Sequence, residues 1–380
     1  MKKIIFAMIE TGGGHKAPAK AIMEALRQNF PDQYNVRMID FFKEIGCEKI
    51  NRSLTLSWNF LLIHPLLTHI LYQIQNSFGA ISRAVMYQMF VAPAVQKTIL
   101  FLKREHPDAV FSTHYLDTEA LVEARKRSGL SFEIFTYQTE IFTYHSAWKV
   151  PGTDWYITSS QKAEREAARG GIPAWKIRTF PYPIHPDFLN SRRPLQMIAQ
   201  ELGLDREQNT VLFSFGNQGA STVIQYLLAM ELFGTALNVI VATGRNTELK
   251  RRIDALKRHF QRINIISLGF SNNMNELISV ADVCFIKPGP ATTLECMHSK
   301  KAIIFCMAAT PCEREHANFA IARGVAKDAG NSVTLFSAAL KHFLKKETIQ
   351  RVAERYNSIQ LPNGAPYIAA FVDSTFQMRK

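Results

Sequence analysis

Cysteine is scarce in this 380-residue chain, and long uninterrupted apolar runs are absent. The five cysteines are odd in number and include no Cys-x-x-Cys pair. This pattern argues against a disulfide framework and a structural zinc site, and it is typical of a reducing cytoplasm. No stretch reaches 18 consecutive apolar residues, so we expect no membrane-spanning helix.

Acidic residues are absent from residues 49–104, although the chain as a whole carries 32 of them against 45 Lys and Arg, for a net charge of +13. The same stretch combines basic side chains with large apolar ones, among them Trp58 and Phe60. Cationic charge beside exposed aromatic groups attaches proteins to anionic membranes, at about 1 kcal/mol per basic residue. We therefore predict an anionic membrane surface as a partner, with a buried helical hairpin as the alternative. No nucleic-acid motif accompanies the charge, so no nucleic-acid partner is predicted.

Apolar runs alternate with amphipathic ones along the whole chain, which predicts parallel sheets covered by helices. The expected fold class is α/β, with two doubly wound Rossmann-like domains facing a cleft. We predict an N-terminal domain over residues 1–187, a linker over 188–204, a C-terminal domain over 205–345, and C-terminal helices over 346–380 that return toward the N-terminal domain. The predicted strands are residues 4–8, 35–39, 109–112, 133–137, 177–179, 210–215, 238–242, 264–267, 283–286 and 302–305.

Two glycine-rich turns follow predicted strands and precede predicted helices: TGGGH at residues 11–15 and KPGPATTLE at 287–295. Unpaired N–H groups and the positive end of the helix dipole make such turns suitable for an anion. In the second turn the amides of Ala291, Thr292 and Thr293 can bind a pyrophosphate. Glu295, one turn further on, can accept hydrogen bonds from the hydroxyls of a ribose.

Three other segments have the same strand-to-helix character: SFGNQG at 214–219, VATGRN at 241–246, and residues 269–276, which begin Gly-Phe and end Asn-Met-Asn-Glu. Each is a weak signal alone. Their order and spacing predict a second domain that binds a nucleotide.

These motifs together resemble the nucleotide-sugar half of monogalactosyldiacylglycerol synthases and of processive diacylglycerol glucosyltransferases, in glycosyltransferase family 28. The TGGGH turn, the STH sequence at 112–114 and the spacing of His145 to Trp148 extend the resemblance over about residues 1–375. The resemblance implies the GT-B architecture and a UDP-sugar as donor substrate.

The resemblance also implies roles for individual residues. His15 and Glu140 are the expected catalytic residues, and His145 and Trp148 would contact the acceptor or a lipid. The donor would be bound by Gly14, Gly216, Asn217, Gly219, Gly244, Arg245, Asn246, Phe270, Met274, Gly289, Pro290, Ala291, Thr292, Glu295 and Glu313. Of these, Glu295 would bind the ribose and Glu313 would face the sugar.

The choice of catalytic base stays open between His15 and Glu140. A neutral imidazole can take the proton of an attacking hydroxyl near pH 7, and the position of His15 at a helix start favours the neutral form. The family usually has Asp at the position of Glu140, Gln near Cys312, and a more glycine-rich loop at 216–219. These departures leave the base and the identity of the sugar undecided.

The expected activity is transfer of a hexose from a UDP-sugar to a lipid hydroxyl, with diacylglycerol the favoured acceptor, by one inverting displacement. The chain lacks the Asp-x-Asp sequence with which many glycosyltransferases hold a metal ion. We therefore expect no metal and no other cofactor, and we expect an enzyme attached peripherally to the cytoplasmic face of a membrane. The alternatives are a UDP-sugar epimerase of the same fold and a non-catalytic nucleotide-sugar sensor.

Overall fold

The computed structural model describes residues 1–10, 13–215 and 222–378 of the chain. The chain forms two compact units. Unit 1 comprises Met1–His185 and the C-terminal segment from Pro362 onward, and unit 2 comprises Pro186–Leu361.

Unit 1 is built on a parallel six-stranded sheet of order β2-β1-β3-β4-β5-β6. Strand β1 is in register with β2 from Lys2 opposite Tyr34 to Met8 opposite Asp40. The interior strands are near-continuous apolar runs because helices cover both faces of such a sheet. The strands are β1 Lys2–Met8, β2 Tyr34–Asp40, β3 Ala109–Ser112, β4 Glu133–Tyr137, β5 Trp155–Thr158 and β6 Ile177–Thr179.

Nine α-helices belong to the described part of unit 1. Helix α17 packs on α1, which ties the C-terminal segment to the start of the chain. Helix α17 also contacts strand β2, where the Tyr34 hydroxyl donates to the Asp373 carboxylate at 2.5 Å. The helices are α1 Gly13–Asn29, α2 Phe41–Glu44, α3 Glu48–Ile63, α4 Pro65–Ser77, α5 Gly79–Met86, α6 Val95–Glu105, α7 Tyr115–Ser128, α8 Gln161–Arg169 and α17 Ala365–Gln377.

The acid-free segment, residues 49–104, is almost entirely helical. A π-helical turn, Tyr87–Val91, and a 3-10 turn, Ala92–Ala94, join α5 to α6. The resulting run, Gly79–Glu105, is long and apolar enough to cross a membrane. We expected no such helix from the sequence because we looked for uninterrupted apolar residues, whereas a long apolar helix can contain isolated polar ones. Helices α3 and α4 together pass the same test as a pair bent by 119°. Part of the run belongs to the core of unit 1, where Phe90 and Val91 are buried.

Unit 2 repeats the architecture with a second parallel six-stranded sheet, of order β12-β11-β10-β7-β8-β9. Its central strands β7 and β10 pair with Val211 opposite Val283. The strands are β7 Thr210–Ser214, β8 Leu237–Ala242, β9 Ile263–Leu268, β10 Val283–Ile286, β11 Ala302–Cys306 and β12 Ala326–Gly330.

The helices of unit 2 follow its strands in alternation. Three further short 3-10 turns lie between α7 and α9, and a fourth follows α11. The helices are α9 Leu195–Glu201, α10 Thr222–Glu231, α11 Thr247–Leu256, α12 Met274–Val280, α13 Pro290–His298, α14 Pro311–Ala322, α15 Val333–Phe343 and α16 Lys346–Ser358. The predicted α/β class with two doubly wound sheets is confirmed.

Candidate active site

His15 lies at the topological switch point of the unit 1 sheet. The chain leaves β1 toward β2 on one side, whereas β3 and its successors lie on the other, so a crevice opens at the carboxyl ends of β1 and β3. Helix α1 begins there after β1, and Thr113 follows β3 directly. His15 Nδ1 is 2.6 Å from the carbonyl oxygen of Thr113.

This hydrogen bond defines the tautomer of His15. A backbone carbonyl only accepts, so Nδ1 carries the proton and Nε2 keeps its lone pair. Burial lowers the pKa of His15, and the Thr113 carbonyl opposes that effect only in part. His15 is therefore neutral at pH 7, with one ring nitrogen able to receive a proton.

His114 stands beside His15, with 4.8 Å between the ring centroids. Its Nδ1 accepts the Leu116 N–H at 3.2 Å and so caps α7. Burial first, and then the neighbouring His15, hold the pKa of His114 well below its usual range. We did not predict this second neutral imidazole from the sequence, although the STH sequence marked its position.

Glu140 follows β4 in a loop of unit 1 and is half-buried. Burial raises its pKa to about 7, against hydrogen bonds from the Thr143 hydroxyl, the Trp148 indole and the backbone of His145. The Thr143 bond measures 3.2 Å. Glu140 can therefore exchange a proton near neutral pH, which makes it a candidate for acid–base chemistry.

The predicted lipid-contact residues His145 and Trp148 lie in the interior of unit 1 beside Glu140. Trp148 is only 2% exposed and meets Tyr115 edge-on at 5.8 Å. His145 contacts the Tyr72 ring at 4.7 Å, and burial lowers its pKa to about 4. Tyr115 in turn stacks on His114 at 4.5 Å. A row of adjoining rings, from His15 through His114 and Tyr115 to Trp148, therefore connects His15 to the indole that contacts Glu140.

Helix α13 begins at the switch point of the unit 2 sheet, between β10 and β7. Gly289 is its N-cap and Pro290 its first residue, so the helix leaves the N–H groups of Ala291 and Thr292 outside its i to i−4 ladder. The Thr293 N–H, in contrast, donates to the Gly289 carbonyl at 3.1 Å. Two of the three amides expected to bind an anion thus remain suited to it.

Glu295 lies on the second turn of α13 and is half-buried. Burial raises the pKa of its carboxyl to about 7. A buried carboxyl of this kind gains from hydroxyl donors supplied by a ligand.

Glu313, on the first turn of α14, is held from two sides. Its Oε1 lies 2.5 Å from Lys287 Nζ, and its Oε2 accepts the Ala309 N–H at 2.7 Å. Thr310 caps the helix by accepting the Glu313 N–H at 3.2 Å. Cys312 is on the same turn and is buried. Lys287 was not singled out from the sequence as a binding residue, although it opens the KPGP turn.

The other predicted donor-binding residues lie at the carboxyl ends of β8 and β9. Gly244 has a φ of +60°, which favours glycine there. The Arg245 guanidinium lies 5.6 Å from the centroid of the Phe270 ring, which is 59% exposed. Asn246 caps α11 by accepting the Leu249 N–H at 2.9 Å, and Met274 begins α12.

The remaining predicted site residues lie outside the groups of residues described above in unit 1 and unit 2. Phe60, on α3, is 52% exposed and its ring contacts His64, whereas Trp58 on the same helix is half-buried. Gly14 is in the first turn of α1. Gly216, Asn217 and Gly219, like the first two residues of TGGGH, lie outside the described residues. Among the described residues, no His, Cys, Asp or Glu side chains form a group of three able to hold a metal ion.

Two doubly wound parallel sheets, each with site residues at its switch point, define the GT-B class of fold. Solved structures that share it include the following two. MurG of Acinetobacter baumannii matches with a TM-score of 0.62 at 15% identity, covering 98% of this chain and 100% of that one. UDP-GlcNAc 2-epimerase of Neisseria meningitidis, solved bound to UDP-GlcNAc, matches with a TM-score of 0.64 at 12% identity, covering 99% and 100%.

Sequence comparison identifies the family. Residues 15–184 match the monogalactosyldiacylglycerol (MGDG) synthase family, and residues 210–351 match the glycosyltransferase family 28 C-terminal domain. Monogalactosyldiacylglycerol synthase 1, chloroplastic, of Arabidopsis thaliana is 30% identical over 315 residues. That match covers 78% of this chain and 56% of the plant protein, so the chain spans little more than half the length of this relative. The chain belongs to glycosyltransferase family 28 and to its MGDG synthase group, as its motifs predicted.

Proposed function

We propose that this protein is a membrane-surface glycosyltransferase that moves a hexose from a UDP-sugar to a lipid hydroxyl, with diacylglycerol the favoured acceptor. The observation that carries the proposal is the neutral His15 at the switch point of unit 1, with Nδ1 bonded to Thr113 and Nε2 able to accept a proton. The name of the plant relative favours diacylglycerol as acceptor and galactose as the sugar.

In the proposed reaction the acceptor oxygen attacks the anomeric carbon while its proton passes to His15 Nε2. The bond between that carbon and the UDP oxygen breaks, and UDP leaves with the electron pair. A single displacement inverts the configuration at the anomeric carbon. The amides of Ala291 and Thr292 would stabilise the departing diphosphate, so the reaction would need no metal ion.

Glu140 would serve the same reaction from within unit 1. Its pKa of about 7 fits a carboxyl that alternates between charged and neutral forms. Since adjoining rings and the Trp148 indole lie between it and His15, we assign the base to His15 and a supporting electrostatic role to Glu140.

The acid-free segment would attach the enzyme to an anionic membrane at its cytoplasmic face. Helices α3, α4 and α5 expose large apolar side chains and carry no acidic residue after Glu48. The exposed apolar residues of these helices are Leu56, Phe60, Leu66, Leu67, Ile70, Ile74, Ile81 and Val85. Insertion of apolar groups combined with attraction between basic side chains and anionic lipids gives reversible attachment.

A UDP-sugar epimerase is the second candidate, because the fold is shared with UDP-GlcNAc 2-epimerase. An epimerase has no use for an apolar basic surface, so the acid-free segment favours the transferase.

The test is UDP release by the purified protein with UDP-galactose, UDP-glucose or UDP-N-acetylglucosamine, with and without diacylglycerol in anionic mixed micelles. The expected result is release that requires lipid and forms a hexosyl-lipid detected by mass spectrometry. Interconversion of the sugars without lipid would favour the epimerase. Donor binding without turnover would indicate a sensor and overturn the proposal.

A further inference from the structure

Lys287 occupies the carboxyl end of β10, directly before the turn into α13. From β7 the chain proceeds to β8 and β9 on one side of the sheet, and from β10 to β11 and β12 on the other. Lys287 is therefore at the topological switch point of unit 2, where open α/β sheets bind their ligands. The Gly289 N–H donates to the Lys287 carbonyl at 2.8 Å, which keeps the lysine close to the start of α13.

The ammonium group of Lys287 is held in place by a buried carboxylate. Glu313 is only 6% exposed, and its two oxygens engage Lys287 Nζ at 2.5 Å and the Ala309 N–H at 2.7 Å. These two contacts fix the orientation of the Glu313 carboxylate and keep the Lys287 ammonium group beside it. An ammonium group has three N–H donors, so Lys287 can keep the bond to Glu313 and still donate to phosphate oxygens.

Helix α13 alone supplies a limited counter-charge for a diphosphate. A helix N-terminus is equivalent to about half an elementary charge, whereas a departing nucleoside diphosphate carries at least two negative charges. A lysine adjacent to that N-terminus supplies the missing positive charge, as lysines do in other phosphate-binding turns.

We propose that Lys287 is the cation that binds the donor diphosphate, and that Glu313 is a positioning residue that holds its ammonium group at the switch point. This inference rests on the proposed function, because it takes a nucleoside diphosphate sugar as the ligand. In this arrangement Glu313 acts through Lys287 instead of contacting the hexose.

The competing explanation is that Lys287 only neutralises the buried Glu313. Binding of UDP and of uridine to the full chain, measured by calorimetry, separates the two. Lys287→Met is expected to weaken UDP binding roughly 10- to 100-fold, as for the loss of a charged hydrogen bond, and to leave uridine binding unchanged. Lys327→Met is the matched control, because Lys327 is an exposed lysine in edge strand β12.

The double variant Lys287→Met/Glu313→Gln keeps the test decisive if the single variant fails to fold. It removes both charges and leaves a side-chain oxygen to accept the Ala309 N–H. If Lys287 binds the diphosphate, this variant should bind uridine normally and should no longer bind UDP more tightly than uridine. Recovery of wild-type UDP affinity would overturn the inference while leaving the proposed function intact. If the wild-type protein bound neither UDP nor uridine, the proposed function would fail first, and this inference with it.

Discussion

The Nδ1 atom of His15 and the carbonyl oxygen of Thr113 are 2.6 Å apart, although the two residues are 98 positions apart in the chain. The contact exists because parallel strands β1 and β3 are neighbours and end at the same edge of the sheet. This hydrogen bond orients the imidazole so that its basic nitrogen, Nε2, points away from Thr113. The catalytic assignment of His15 therefore depends on the fold as much as on the residue itself.

Replacing His15 by Ala tests that assignment. We expect kcat to fall by roughly 100- to 10,000-fold, the usual contribution of a general base, with little change in the donor KM. Steady-state kinetics at saturating lipid measures both. His259→Ala, an exposed histidine in unit 2, is the control and should keep wild-type kinetics. Near-normal kcat in His15→Ala would remove His15 from the mechanism.

The pH dependence of kcat tests the supporting role of Glu140. Glu140 has a pKa of about 7, so it is protonated below that pH and ionised above it. If an ionised Glu140 supports the reaction, kcat rises with pH up to about 7 and then levels off. Glu140→Gln should remove this rise and lower the plateau. The measurement needs saturating donor, because Glu295 has a similar pKa and is a predicted donor-binding residue.

His15 alone would give a different profile. Burial lowers the pKa of His15 below the usual 6.5. If only His15 controls the rate, kcat therefore changes with pH only below about 6.5. A kcat that is flat between about pH 6.5 and 8 in the wild-type protein would contradict a role for Glu140 ionisation.

Glu295→Ala should raise the donor KM by about tenfold or more while changing kcat little. If Glu295 binds the ribose, the substitution removes charged hydrogen bonds that contribute about 1.5–3 kcal/mol each. Kinetics with varied UDP-sugar and a thermal melt would measure binding and stability separately. Glu354→Ala, at an exposed site on α16, is the control. An unchanged KM in a folded Glu295→Ala protein would place the ribose elsewhere.

The sequence predicted the interior strands well, because apolar runs ending in glycine turns are unambiguous. Strand β10 and the turn that follows it at Lys287 are an example. Two strands were missed. Strand β12 contains Lys327, Asp328 and Gly330 and resembles a loop, since an edge strand is exposed to water. Strand β5 has only four residues and follows the Pro-Gly pair at 151–152, which indicates a turn.

Candidate residues were predictable where they lie in motifs, and their partners were not. The KPGP turn identified α13 and Glu295, and family resemblance identified Glu140 and Trp148. No local pattern predicts that Lys287 pairs with Glu313 or that Trp148 is buried against Tyr115, because strand order and side-chain packing determine both contacts. The raised pKa of Glu140 likewise follows from burial in the folded unit.

Membrane attachment is testable because the acid-free segment exposes its apolar side chains. Phe60, Leu66 and Ile70 lie on α3 and α4, and Leu66 is 75% exposed. Burying such a side chain in a bilayer interface contributes about 1.5–3 kcal/mol, so replacing all three by Ser should weaken binding to anionic liposomes at least 100-fold. Liposome flotation, with UDP affinity measured in parallel, reports both functions. The matched control is Leu228→Ser/Leu232→Ser, which removes exposed apolar residues of unit 2 and should leave flotation unchanged. Equal flotation of the triple variant and the wild-type protein would show that α3 and α4 do not hold this protein on the membrane.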